Sequence, residues 1–323
     1  MKPDEIRSRC VGAIAGFAVG DALGMPVEFL SREQIHRYYG KEISSFMTAP
    51  PGHACDFLPS GSYTDNTQTL LVTAECLIEC GRMDPARQAE ALLAWYLNNV
   101  PHRTPSSANM RACKHLATGR PWNKSGVFSS DSQATSRMPP IGLIFSGSPE
   151  HLMRAALDNC CITHNEPRAK AACVGVAYLT SRLLQSNEHS RPTDQVMETA
   201  DYISHLDRDL CSLLRWTTEL VDLSPEEALF ELGTSSDVLE ALPASVYCFL
   251  KFPRDYSGAV LTAINAGDAS DTIGALTGCF VGALAGSAAI DKQWLAGIEN
   301  ADVIAGIGEN LASFVGIDGK KAF

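Results

Sequence analysis

The 323-residue chain has no Cys-x-x-Cys pair, no long basic run, no heptad repeat and no convincing series of alternating strands. Each absence excludes something. The eleven cysteines are odd in number and scattered, which argues against a disulfide framework and a zinc ribbon. They read as reduced, small core residues of a cytoplasmic protein. Twenty-six Lys and Arg against 37 Asp and Glu leave a net charge of −11. Phosphate-rich surfaces need clustered cations, which argues against a general nucleic-acid or membrane-surface binder but not against a local pocket for a nucleotide-like ligand. The charge and the missing heptads lean towards a monomer. With no Pro/Ser-rich linker, residues 1–323 are expected to form a single domain.

Two apolar segments imitate membrane signals. Cys10 to Gly20 follows Asp4 and Glu5 rather than a cationic start and runs into Asp21, unlike a signal peptide. Ile273 to Ile290 is uncharged over 18 residues but consists mostly of Gly, Ala, Ser and Thr. It reads as a buried helix rather than a membrane span.

What the chain does have is helical periodicity. Helices are predicted over Glu5–Leu23, Thr67–Glu79, Pro85–Asn98, Pro149–Cys161, Arg168–Leu184, Thr193–Leu220, Val238–Phe252, Ser257–Ala266, Thr272–Ile290 and Ile298–Phe314. The stretch from Asn99 to Pro140, rich in Pro, Ser, Asn and Gly, is predicted to be a long irregular connection. The expected class is all-α, a compact helical bundle. Gly12, Gly16, Gly20 and Gly24 are spaced by four, as are Gly274, Gly278, Gly282 and Gly286. Residues four apart stack along one helix face. Each series makes a bare stripe, at roughly 1 kcal/mol of lost helix propensity per glycine. Such a stripe is useful where another backbone comes close, and the two helices are candidates to pack on each other.

Each stripe adjoins polar residues: Asp21 and Glu28 in the first, Asp268 and Asp271 in the second. A further acidic motif, Tyr63-Thr64-Asp65-Asn66-Thr67, opens an apolar helix, and Gly267-Asp268-Ala269-Ser270-Asp271-Thr272 opens the second glycine helix. Either alone reads as an N-cap. Together, Thr64, Asp65, Asp271 and Thr272 offer the oxygen donors that magnesium, manganese or calcium requires, and a cation explains why carboxylates would converge. Tyr63 and Phe57 are candidates to stack on an adenine or simply to pack on a loop. His53 and His102 lie near loops and read as solvated.

At this point the residues resemble a family. Gly20-Asp21-Ala22-Leu23-Gly24-Met25-Pro26-Val27-Glu28-Phe29 is similar to the opening motif of the ADP-ribosylglycohydrolases, which include the dinitrogenase-reductase-activating glycohydrolases. Thr64-Asp65-Asn66-Thr67-Gln68 resembles their Thr-Asp-Asp-Thr motif, Thr163-His164-Asn165 their mid-chain Thr-His motif, and Asp271-Thr272-Ile273-Gly274-Ala275 their C-terminal Asp-x-Asp-Thr motif. The matches follow family order from about residue 10 to residue 290.

The resemblance implies an all-α fold with two magnesium or manganese ions in a central cleft. It also implies hydrolysis of the N- or O-glycosidic bond between ADP-ribose and an acceptor, so that the partner is ADP-ribose or an ADP-ribosylated macromolecule. Thr64, Asp65, Asn66, Asp271 and Thr272 would be metal ligands. Glu28, Asp65 and Asp271 would be catalytic, with Glu28 on a mobile loop. Thr163, His164, Ser132, Gln133 and Arg137 would bind substrate. Metal ions lower the pKa of bound water, a carboxylate accepts its proton, and acidic surroundings stabilise charge at the ribose.

Three departures from the family pattern stand out. Asn66 occupies a position usually held by Asp. Ala269 occupies another; Asp268, one residue earlier, fills that role if the turn is rearranged. Gln133 stands where a Gly-rich loop has glycine, just before Arg137 and Pro140-Ile141-Gly142-Leu143. Fewer carboxylates mean weaker cation binding, with one metal rather than two as a possible outcome. The alternative to an active hydrolase is a weak or inactive family member that binds ADP-ribose or a partner protein.

Overall fold

The computed structural model describes residues 2–315. Among them are 17 α-helices, four 3₁₀ turns and no β-strand, only three isolated bridges. The expected all-α class holds.

The two glycine helices, Pro3–Gly24 and Ser270–Ala285, run antiparallel in direct contact at the centre. Gly12 lies against Gly282, Gly16 against Gly278, Gly20 against Gly274, and Gly24 against Ser270 and Asp271. A Cβ on Gly12, Gly16, Gly20 or Gly24 would sit less than 3.0 Å from the facing backbone. No side chain fits there, so the stripe is a packing requirement. Tyr256 closes the contact by donating its hydroxyl to Gly16 O at 2.7 Å. The functional consequence is positional. Antiparallel packing sets the C-terminal end of the first helix, with Asp21, beside the N-terminal end of the second, with Asp271.

Around this pair pack Pro167–Leu184, Val238–Lys251 and Tyr256–Ile264 on one side and Ala301–Ala312 on another. The helix Asp65–Cys80 lies against Pro85–Asn98 and the 3₁₀ turn Ser132–Arg137. The segment Pro3–Val27 is long and apolar enough to cross a membrane, but 94% of its most apolar window is buried inside the structure. All eleven cysteines are free thiols, nine of them buried.

Several helix limits move by only one to three residues, and Pro85–Asn98 and Pro149–Cys161 match. Three expectations are corrected. Thr193–Leu220 is two helices, Pro192–Ile203 and Arg208–Glu219, because Asp207 caps the second by accepting Leu210 N–H at 2.8 Å. The second glycine helix stops at Ala285, because Gly286 leaves helical space at φ 81°. The stretch Asn99–Pro140 is not irregular throughout. It contains the helices Ser107–Ala117 and Trp122–Ser125 and the turn Ser132–Arg137, and the helix Met138–Ile144 begins inside it. Its prolines and serines start helices rather than prevent them: Ser106 is an N-cap, and Pro139 and Pro140 lie in a first turn, where a missing N–H is harmless.

Candidate active site and cation site

Two helix starts meet where the glycine helices cross the end of the loop Tyr63–Thr67. Thr64 caps Asp65–Cys80 by accepting Asn66 N–H at 3.2 Å. The cap is also part of the site, because the Thr64 hydroxyl reaches Asp21 Oδ1 at 2.8 Å and Asp271 Oδ2 at 3.2 Å. Asp21 accepts four bonds in all: the backbone N–H and hydroxyl of both Thr64 and Thr67. It is fully buried, and its role is to hold the Thr64–Thr67 turn against the first glycine helix.

Asn66 spans the gap. Its Nδ2 donates to Asp271 Oδ2 at 2.8 Å and to Thr272 Oγ1 at 3.1 Å, while its Oδ1 accepts the Ser136 hydroxyl at 2.7 Å. Asp65 Oδ2 accepts from Gln133 Nε2, and Gln133 Oε1 in turn accepts Ser106 N–H. Glu28 is buried beside them and carries charge repulsion from Asp271, Asp65 and Asp21. The structure therefore brings together Glu28, Thr64, Asp65, Asn66, Gln133, Asp271 and Thr272.

The electrostatics are unfavourable as they stand. Burial, and then the neighbouring carboxylates, push Glu28 and Asp65 well above the ordinary range. Burial, and then Asp21, lift Asp271 to about 7. Burial lifts Asp21 to about 6 despite its four donors. No ion pair among the described residues reaches any of the four. Glu28 Oε2 and Asp65 Oδ1 are buried without a hydrogen-bond partner. Unpaired buried oxygens of this kind are the donor chemistry a hard cation takes. No group of three or more His, Cys, Asp and Glu among the described residues forms a preset cage. The donors here are mixed, with Thr hydroxyls and an amide between the carboxylates.

Asp268 does not join the cluster. Its residue takes φ 59° and exchanges backbone bonds with the Glu28 loop, Phe29 N to Asp268 O at 2.8 Å and Asp268 N to Leu30 O at 2.9 Å, while the residue itself is exposed. The rearranged turn that would have brought it in place of Ala269 is absent from this arrangement.

Three of the remaining sequence candidates, Arg137, Thr163 and His164, form a buried chain. Arg137 donates to Asn159 Oδ1 and Thr163 Oγ1, both at 2.7 Å. Thr163 Oγ1 meets His164 Nδ1 at 2.8 Å, and His164 Nε2 meets Asp131 Oδ1 at 2.9 Å. Burial pulls the Asp131 carboxyl up, but the His164 ring and Ser129 outweigh it and leave it below its ordinary value. Arg137, Thr163, His164 and Ser132 are almost wholly enclosed. Tyr63 is buried too, its hydroxyl accepting from Asn300 and its ring under Arg103, whereas Phe57 is 48% exposed. His53 is not free in solvent: it accepts Cys55 N–H at Nδ1 and bonds Glu28 O from Nε2 at 2.9 Å. His102 stacks on Tyr96.

Sequence reasoning missed the strap Arg103–Ser106. Arg103 O accepts Asp65 N–H at 3.1 Å and the Thr104 hydroxyl at 2.8 Å, and the Arg103 guanidinium is locked to Glu299 at 2.6 Å. Nothing in its composition singles it out, since its partners lie up to 196 residues away in the chain. Asp131 was missed as well; its place before a turn in Ser-Ser-Asp-Ser was the available signal.

Comparison with known proteins decides the family. The family model for ADP-ribosylglycohydrolase matches residues 2–318. The chain belongs to the ADP-ribosylglycohydrolase family. An uncharacterized protein of Archaeoglobus fulgidus is 32% identical over 291 residues, 90% of this chain and 92% of the other. The ADP-ribosyl-[dinitrogen reductase] glycohydrolase of Rhodospirillum rubrum is 26% identical, covering 93% of each. The ADP-ribosylarginine hydrolase Tri1 of Serratia proteamaculans is 24% identical, covering 95% of this chain and 80% of its own. A solved ADP-ribosylglycohydrolase-related protein complex superposes with a TM-score of 0.78 at 26% identity, covering 97% of this chain and 100% of that one. In this family member, the glycine-helix crossing and the Thr64–Thr67 turn together hold the buried acidic cluster.

Proposed function

We propose that this family member is a divalent-cation-dependent hydrolase that cleaves the N- or O-glycosidic bond between ADP-ribose and a modified target, reversing ADP-ribosylation in the cytoplasm. The observation that carries the reading is the convergence of Glu28, Asp65 and Asp271 in one buried cluster that leaves Glu28 Oε2 and Asp65 Oδ1 unpartnered. A charged oxygen buried this way costs several kcal/mol unless something positive meets it. The relatives named for ADP-ribosylated dinitrogen reductase and ADP-ribosylarginine supply the substrate class.

Thr64, Asp65, Asp271, Thr272 and the Asn66 carbonyl, after a turn of its amide, would hold magnesium or manganese. When bound, the cation supplies a fixed positive charge that polarises oxygens at the ribose. The chain's own residues do the rest. Glu28 Oε2 is free to take the proton of an attacking water. The surrounding carboxylates favour positive charge developing at the anomeric carbon. Asp21 holds the Thr64–Thr67 turn.

The test is a thermal-shift series with EDTA, Mg²⁺, Mn²⁺ and ADP-ribose, followed by release of free ADP-ribose from ADP-ribosylated arginine, serine and nucleic acid. Stabilisation by cation and ligand, with release that disappears in Asp271→Ala, supports the hydrolase. No effect of either cation or ligand removes it. A second reading, a non-catalytic binder of ADP-ribose or a partner protein, is favoured by the two amides that already occupy the carboxylates, Asn66 on Asp271 and Gln133 on Asp65. Binding without release on every substrate supports that reading.

A further inference from the structure

A groove of 720 Å³ lies on the far side of the Glu28 loop. The loop and the Gly267–Ala269 turn form a narrow two-stranded ribbon through the mutual backbone bonds of Phe29, Leu30 and Asp268 and the Ser31–Gly267 bridge. Glu28, which precedes this ribbon, is buried within reach of the charges of Asp271 and Asp65. Ser31, Arg32 and Asp268 line the groove.

The groove has an apolar floor and an acidic rim. Leu229, Phe252 and Leu261 line it, and Phe230 stands at its edge with 85% of its surface exposed. Glu33, Glu42, Glu226 and Asp268 stand around it against a single cation, Arg32, which is already shared between Glu42 at 3.4 Å and Glu226 at 3.3 Å. Three negative charges are therefore left over at the rim. Charge of this sign repels phosphate and attracts ammonium or guanidinium. An exposed phenylalanine beside apolar walls is the ordinary anchor of a polypeptide interface.

We propose that this groove is an exosite for the protein target: it binds a segment of the substrate polypeptide that carries Arg or Lys next to an apolar side chain, while the modified residue crosses the Phe29–Ser31 ribbon into the acidic cleft. The assignment rests on the hydrolase reading of that cleft. It gives the chain a preference for modified proteins of basic local sequence over nucleic acids and small ADP-ribosides. Occupancy also bears on the cleft directly, because the ribbon beside the groove follows on from Glu28.

The experiment uses the full-length protein and the variants Glu226→Lys, Glu42→Lys and Phe230→Ser, all at exposed positions and each checked for an unchanged Tm. The binding probe is a fluorescein-labelled, unmodified peptide rich in arginine with a leucine pair, set against its glutamate counterpart in fluorescence anisotropy. The kinetic probes are the same peptide ADP-ribosylated on arginine and free ADP-ribosylarginine. The expected result is salt-sensitive binding of the basic peptide alone. Each variant should weaken it roughly tenfold and raise KM for the peptide substrate by about as much, with free ADP-ribosylarginine hydrolysed as before. Equal losses on both substrates, no loss on either, or equal binding of the glutamate peptide overturns the exosite. So does a dimer, seen by sedimentation, that Phe230→Ser dissociates, since the groove would then belong to a second copy. If the unaltered protein releases ADP-ribose from neither substrate, the hydrolase reading fails, and the anisotropy arm still decides the groove.

Discussion

The amide of Asn66 donates to the carboxylate of Asp271 across 2.8 Å, and both side chains are buried. This single bond does part of a cation's work with a neutral group: it satisfies one carboxylate oxygen where a second carboxylate would repel it. Asn66→Asp reverses that exchange. In EDTA the variant should lose about 1–3 kcal/mol of stability, through a lost bond and an added repulsion. With Mn²⁺ it should recover and bind the ion more tightly than the parent. Chemical denaturation with and without Mn²⁺ measures both. A variant equally stable in EDTA would show that Asn66 and Asp271 are not coupled.

The raised carboxyls set a pH dependence. A carboxyl whose folded pKa lies above its unfolded value holds its proton more tightly when folded. Between those two values the folded chain binds more protons, so stability falls as pH rises. For Asp271 the window runs from 3.8 to about 7, for Asp21 from 3.8 to about 6, and Glu28 and Asp65 act in the same direction. Asp131 acts oppositely, but below its ordinary value of 3.8. The Tm in EDTA should therefore fall between about pH 4 and about pH 7. Divalent cation should flatten the fall by favouring the ionised forms. A Tm that climbs over this range would show that burial does not hold these carboxyls in their protonated forms.

The glycine contact predicts two substitutions of opposite sign. Gly20→Ala places a methyl into the backbone at Gly274 and should cost roughly 3 kcal/mol or more, or prevent folding. Gly306→Ala, in the helix Ala301–Ala312 with nothing within 4 Å of the new methyl, should be neutral or stabilise by up to about 1 kcal/mol. Urea titrations of the two variants against the parent would separate packing from propensity.

Gln133 covers Asp65 and ties it to the backbone of Ser106. Gln133→Gly should free Asp65 Oδ2 and open the cleft. We expect tighter Mn²⁺ binding and a larger thermal shift with ADP-ribose, at a loss of about 1 kcal/mol without ligand. Isothermal titration with each ligand reports the change. Unaltered affinities would place the Gln133 side chain outside the ligand's path.

Much of the scaffold was legible in the chain itself. Two glycine series at intervals of four have one physical use, close backbone approach, and the helices that carry them do meet. The helix starts at Thr64 and Asp271 were visible because oxygen-bearing residues precede apolar runs. What misled was punctuation: Pro101, Pro105, Pro139 and Pro140 read as breaks, yet Pro139 and Pro140 open a helix. The turn at Asp207 was hidden because an apolar period passes through it on both sides.

The sequence by itself determined the class of fold, the two small-residue stripes and the residue types available to the acidic cluster, because these follow from local periodicity and side-chain chemistry. Only the tertiary structure decided which oxygens are shared and which are left over. That Asp21 serves the Thr64–Thr67 turn, that Asp268 faces away, that Arg103 O takes Asp65 N–H and that His164 is enclosed by Thr163 and Asp131 all depend on distances between residues far apart in the chain. Hydrogen bonds are directional over less than an ångström, and no spacing along the chain encodes them. The acidic residues were readable as letters. Their partnership became visible only once the glycine helices had brought them within reach of one another.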